Sequence, residues 1–145
     1  MTLKDVDKQL AIIKRGVEEI LPENNLSDII NKSIANKMPL NIKLGCDPSR
    51  PDLHLGHSVV LKKLRDFQDL GHNAILVIGD FTAMIGDPTG RNKTRPQISI
   101  EETKKNAQTY LSQASKILDI KKLKIVYNSE WLNKLDLSIN NKWIK

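Results

Sequence analysis

The chain has 145 residues, 39% of them hydrophobic and 28% charged, and a net charge of +6. That length allows one domain with a real core, and the balance of apolar and charged residues excludes a disordered chain. No apolar run approaches the roughly 20 residues of a membrane helix, the N-terminal MTLKDVDKQL lacks the apolar centre of a secretory signal, and the single Cys46 excludes an internal disulfide and fits a reducing, cytoplasmic setting.

The charge is unevenly distributed. Residues 1–90 carry 11 basic and 12 acidic side chains, and residues 91–145 carry 12 and 5. A basic second part fits a polyanion such as RNA. Solvated lysine-rich faces account for it more simply.

In chain order, Leu3, Val6, Leu10, Ile13, Val17 and Ile20 recur at three- and four-residue intervals. That spacing predicts an amphipathic helix running up to Pro22. A second helix is expected over about Leu26 to Asn36, with Ile29, Ile30 and Ile34 inward, before Pro39. "LNIKLG", Leu40 to Gly45, alternates and reads as a strand. The helical period returns from Gly56 to Leu70 through Val59, Val60, Leu61, Leu64 and Phe67, and Gly71 suits a left-handed C-terminal cap. "AILVIG", Ala74 to Gly79, is a continuous apolar run, as in a parallel strand buried on both faces.

A Gly- and Pro-rich loop follows from about Asp80 to Gln97. Ser99 to Glu102 has the S-x-x-E pattern of a capping box, opening a helix with Ala107, Tyr110, Leu111, Ala114 and Ile117 on one face. "LKIVYN", Leu123 to Asn128, is a third strand, after which Ser129 is placed to cap a short helix holding Trp131, Leu132 and Leu135. Strands alternating with helices predict an α/β fold with a parallel sheet, without repeats or a clear linker. Six of the seven glycines lie between 45 and 90, several at predicted strand ends, where open α/β sheets bind ligands.

Two segments carry candidate chemistry. "DPSRPDLHLGH", Asp47 to His57, joins a strand to a helix. With Asp52 as the helix cap, His54 and His57 would share one face at i, i+3, beside free amides that favour an anion. Both imidazoles can then donate to phosphate oxygens, Gly56 allows close approach of a ligand, Ser49 adds a hydroxyl, and Asp47 accepts from an amine or hydroxyl. The simplest alternative is a pair of ordinary histidines at a helix start. Zinc would need a third ligand, and His72 stands at the far end of the helix, so no metal is expected. General-base catalysis finds no activated serine or cysteine partner, and Cys46 reads as packing rather than a nucleophile. The second segment, "GDFTAMIGDPTGR", is not a Walker loop. Its turns at Gly86, Pro88 and Gly90 would present Asp87 to a cation such as an α-ammonium group, with Thr82 and Asp80 as weaker candidates, unless Asp87 only supports its own turn.

"HLGH" matches the HIGH motif of class I aminoacyl-tRNA synthetases. The stretch from Leu44 to Arg91, "LGCDPSRPDLHLGHSVVLKKLRDFQDLGHNAILVIGDFTAMIGDPTGR", together with "VYNSEWL", resembles the bacterial tyrosyl-tRNA synthetases. The resemblance implies the first half of a Rossmann-like nucleotide-binding domain with a parallel sheet (39–145), preceded by N-terminal helices (1–38). It implies ATP-dependent activation of tyrosine to tyrosyl-adenylate and transfer to tRNA(Tyr), with Mg²⁺ accompanying ATP, in a cytoplasmic homodimer with no membrane contact. By resemblance, His54, His57 and Ser49 act on the ATP phosphates. Asp47, Gly45, Pro48 and Gly56 contact ATP or the adenylate, and Asp87, Thr82 and Lys43 the tyrosine. At Lys43 some members carry a tyrosine that reads the substrate phenol, and other branches do not.

The family's mobile KMSKS-like lysine motif has no counterpart here, since "RNKTRP" is not one, and the chain reads as an N-terminal fragment with an incomplete interface and little activity alone. The competing readings are another H-x-G-H nucleotidyltransferase and a truncated, non-catalytic product that binds ATP or RNA.

Overall fold

The structure, a computed structural model, describes residues 5–22, 25–85 and 98–134. Its elements are α1 (Val6–Lys14), α2 (Leu26–Ala35), β1 (Asn41–Cys46), α3 (Leu55–Asp69), β2 (Asn73–Ile78), α4 (Asp80–Ile85), α5 (Ile100–Ala114), a 3-10 turn (Ile120–Lys122), β3 (Leu123–Tyr127) and α6 (Ser129–Leu132). The three strands form one parallel sheet in the order β1-β2-β3. The α/β class and the parallel pairing expected from the alternation of elements are therefore observed.

The elements depart from expectation in several places. The first helix ends at Lys14, because Gly16 takes a left-handed φ of 67° and turns the chain, so Val17 and Ile20 are not on it. Ile29, Val59 and Val60 are exposed, and Ile30, Leu61 and Leu64 carry the burial instead. The expected loop after Gly79 begins with helix α4, for Asp80 opens a run of helix-compatible residues, Phe81 to Ile85. The last helix is flanked by Asn128, with Ser129 as its first residue. Leu3 and Leu135 lie outside the described residues.

The core lies on one face of the sheet. Ala74, Leu76 and Ile78 of β2 alternate onto that face and are fully buried, while Ile75 and Val77 opposite them are only half-buried. Burial of β2 on both faces, expected from its apolar run, is thus not found. α3 supplies Leu61 and Leu64 and α5 supplies Ala107 and Ala114 to the buried face. At about 25 cal/mol per Å² of apolar surface, each such leucine contributes on the order of 2 kcal/mol. Gly71, at φ 93°, ends α3 in a Schellman motif, with Gly71 N–H bonded to Gln68 O and His72 N–H to Phe67 O. Ser99 caps α5 by accepting from the Glu102 amide at 3.1 Å.

α1 and α2 pack beside α3 around Ile13, Ile30 and Leu70. Two polar ties hold them there. Lys63 of α3 donates from Nζ to the carbonyls of Ile13 (3.0 Å) and Arg15 (2.8 Å), satisfying the C-terminal end of α1 with a cation where the helix dipole favours one. Buried His72 accepts the Leu40 amide on Nδ1 (3.2 Å), so its proton sits on Nε2 and is donated to Gln9 Oε1 at 2.8 Å.

Burial holds the His72 imidazole below the ordinary histidine pKa of 6.5. As pH falls through about 6.5, the unfolded chain takes up a proton that the folded chain resists, so folding stability declines below that pH. Urea unfolding at stepped pH should show this loss, at most about 1.4 kcal/mol per pH unit. His72→Gln, which cannot titrate, should flatten the slope.

Candidate functional site at the strand ends

The carboxyl ends of all three strands converge. Gly79 extends the β1–β2 ladder by donating to Cys46 O (2.8 Å), and Asn128 extends the β2–β3 ladder by donating to Ile78 O (2.9 Å). Beyond these points a side-chain relay crosses the sheet. Asn128 Nδ2 donates to Thr82 Oγ1 at 2.9 Å, and Thr82 Oγ1 donates to Asp47 Oδ1 at 2.8 Å. Asn128 Oδ1 accepts the Phe81 amide (2.9 Å), which fixes the first turn of α4 and with it Thr82. Gly79 has no side chain because the Asp47 carboxylate and the Thr82 hydroxyl occupy the space where its Cβ would stand. Asp80 is spent on structure: its carboxylate accepts from the Ser129 amide (3.0 Å) and the Ser129 hydroxyl (2.6 Å), anchoring α6.

The histidines differ from expectation in one respect. The N-cap of α3 is His54, not Asp52. His54 Nδ1 accepts the Gly56 amide at 3.1 Å, and His57 Nδ1 accepts the His54 amide at 3.2 Å, a reciprocal pair that satisfies two main-chain donors at the helix start. An Nδ1 that accepts cannot carry a proton, so each neutral ring holds its N–H at Nε2. The two rings lie 3.9 Å apart between centroids. The room left by the missing Cβ of Gly56 is taken by the His54 ring, whose Cε1 would stand 2.9 Å from that Cβ.

The remaining sequence candidates separate by position. Lys43 and Gly45 alternate onto the exposed side of β1, and Gly45 has open space beside it. Pro48 is fully buried at the base of the loop. The Ser49 amide closes a tight turn onto Asp47 O at 2.8 Å. Asp87 lies outside the described residues, as do Gly86, Pro88 and Gly90. Burial, with the Asp47 charge adding to it, pushes the Cys46 thiol up to about 11, which suits packing and not nucleophilic attack. Beside His57 an apolar cavity of about 50 Å³ is lined also by Gly45, Cys46, Leu53 and Tyr110, among others. Among the described residues no three His, Cys, Asp or Glu side chains cluster as a metal site.

Sequence reading did not single out Asn106, Thr109, Gln113 or Asn128, all of which hold the loops of this site. The first three had a visible signal. They are polar residues at i, i+3 and i+7 that border the apolar stripe of α5. Asn128 had none, because its role depends on the register of β3.

A parallel α/β sheet with its loops and the H-x-G-H helix start gathered at the strand ends defines a Rossmann-like class of fold, and the chain can be placed within it. It belongs to the tRNA synthetases class I (W and Y), whose family pattern it matches over residues 35–141. It is 56% identical over 138 residues to the tyrosine--tRNA ligase of Salinibacter ruber, covering 95% of this chain and 34% of that protein. It is 58% identical over 135 residues to that of Chlorobaculum tepidum, covering 93% and 33%. The chain thus spans about a third of the length of the curated relatives it matches. In structure it is similar to the tyrosyl-tRNA synthetase of Archaeoglobus fulgidus solved with L-tyrosine, with a TM-score of 0.75 and 25% identity over 93% of this chain and 38% of that one.

The convergence on Gly79 is open to direct test. Gly79→Ala should displace the Asp47 carboxylate and destabilise the chain by about 1–3 kcal/mol, the usual cost of overpacking. Chemical denaturation measures the destabilisation, and the Asp47 side-chain resonances in NMR report the displacement. Unchanged stability and an unmoved Asp47 would show that the site has slack there.

Proposed function

We propose that this chain carries the ATP-binding part of a tyrosine--tRNA ligase site. In that reading, residues 39–145 form the first part of the catalytic domain and 1–38 a helical segment leading into it. The observation that carries the proposal is the committed Nδ1 of both His54 and His57, which leaves two Nε2–H donors side by side at the start of α3.

In the proposed reaction the tyrosine carboxylate attacks the α-phosphate of ATP in line, tyrosyl-adenylate forms, and pyrophosphate departs. The tyrosyl group then passes to tRNA(Tyr) as AMP departs. Negative charge shifts toward the departing phosphates, where the two Nε2–H groups and the N-terminus of α3 stabilise it. Ser49 assists at the terminal phosphates. Asp47, held by Thr82, accepts from the adenylate, Gly45 leaves open space for the nucleotide, and Pro48 and Gly56 act from beneath by fixing the loop and seating the His54 ring. Asp87, Thr82 and Lys43 receive the tyrosine. Mg²⁺ arrives with ATP as part of the substrate. Catalysis rests on placement and electrostatics, without a covalent enzyme intermediate. A homodimer, tRNA(Tyr) binding and a cytoplasmic setting belong to the same proposal for the complete enzyme. Among the described residues no helix is long and apolar enough to cross a membrane.

Two measurements test the reading. Titration of the chain with MgATP should show saturable binding, weakened roughly 10- to 100-fold by His57→Ala, the scale of a charge-assisted hydrogen bond. Tyrosine-dependent ATP–pyrophosphate exchange by the chain itself should stay near background. Absent ATP binding would remove the proposal, and robust exchange would show that these residues suffice for a complete site.

A further inference from the structure

One stripe of α5 is built toward the H-x-G-H loop. Asn106, Thr109, Tyr110 and Gln113 stand at i, i+3, i+4 and i+7, so they share a face of the helix. Among the described residues, three of them bond to main-chain atoms of the loop or of α5 itself. Asn106 Nδ2 donates to Pro48 O at 3.1 Å, and the Thr109 hydroxyl lies 2.5 Å from Pro51 O. Gln113 makes two bonds to the loop, donating from Nε2 to Pro51 O at 2.9 Å and accepting the Leu53 amide on Oε1 at 3.0 Å, and its Nε2 also donates to Thr109 O within α5 at 3.2 Å. The fourth residue, Tyr110, is buried and meets the His57 ring edge-on, with centroids 6.1 Å apart.

The loop needs this support. Pro48 and Pro51 lack N–H groups and cannot pair as regular structure would; the carbonyl of buried Pro48 requires a donor from within the protein, and that of exposed Pro51 gives α5 a second point of attachment. Proline fixes φ at these two positions, and α5 fixes where the resulting rigid segment sits. Leu53 is the residue before His54, so a bond to its amide sets the chain immediately ahead of the capping histidine. The reciprocal His54–His57 cap, and the Nε2–H tautomer it imposes, therefore hang on a segment held from α5.

We propose that Asn106, Thr109, Tyr110 and Gln113 are positioning residues that set the orientation and tautomer of His54 and His57. The inference deepens the ATP-site reading and rests on it for its functional consequence. Its structural half is independent of any nucleotide.

The test is histidine side-chain NMR on the ¹⁵N-labelled chain. In the wild type, His54 and His57 should each show a single Nε2–H tautomer. In the double variant Thr109→Val/Gln113→Met both should move toward the mixed pattern of free histidine. The His72 signal, at the opposite end of α3, should stay in place and serve as the internal record of an intact fold. Unmoved His54 and His57 signals beside an intact His72 would overturn the proposal. If the double variant loses the His72 signal, Gln113→Glu, which keeps the acceptor for Leu53 and removes the donor to Pro51, carries the same test with the same two outcomes.

A parallel MgATP titration separates this inference from the reading it rests on. Wild-type binding that weakens roughly tenfold in the variant supports both. No binding by the wild type, with the tautomer shift still seen, removes the ATP site and leaves the positioning role.

Discussion

The Asp47 carboxylate occupies the place of a side chain at Gly79, and the geometry of the strand ends depends on that substitution of one residue's group for another's. β1 and β2 run parallel and in register, with Cys46 opposite Ile78. The next residues of the two strands must then diverge or interpenetrate. A glycine on one strand lets the carboxylate of the other fold over it, and Thr82, one helical turn on, donates the hydrogen bond that holds it. Asn128 at the end of β3 completes the relay. Three strand ends are thereby tied by two side-chain hydrogen bonds, so the relative placement of the loops that follow is a property of the sheet and not of each loop.

The second constraint is the bare start of α3. The first amides of a helix have no partner within it, and leaving them unpaired is costly where water is excluded. This chain uses imidazoles where serine or aspartate is usual. That choice links capping to chemistry: the nitrogen that serves the helix leaves the opposite nitrogen protonated. Gly56 belongs to the same arrangement, since its missing Cβ makes room for the capping ring.

The far end of α3 is structural. Buried Asp66 lies near the cations of Arg15, Lys62 and Lys63 at 3.5–3.7 Å, distances at which the pairs act more through local field than through directed hydrogen bonds. Lys63 turns instead to the carbonyls ending α1, and His72 joins α1 to the start of β1 through Gln9 and Leu40. α3 thus carries the histidine site at its N-terminus and the scaffold for the N-terminal helices at its C-terminus. The separation explains why His72, just beyond the C-terminal end of α3, takes no part in the site.

Much of this was legible in the residues themselves. The alternation of strands and helices, the glycine stop after α3, the Ser99 cap and the proximity of His54 and His57 follow from short-range rules, because helix periodicity, capping and turn chemistry act within a few residues. What the sequence could not decide is what long-range packing decides. Val59 and Val60 keep helical spacing yet stay exposed, since the core lies against Leu61 and Leu64. His54 and not Asp52 caps α3, because the loop from Asp47 is held by Asn106, Thr109 and Gln113, which lie 58 to 62 residues from the loop atoms they bind. The sequence alone determined the alternation of strands and helices, α4 excepted, and the chemistry available in "DPSRPDLHLGH". The tertiary structure decided which nitrogen of each histidine is free, for that depends on the backbone amides that the folded loop brings to it.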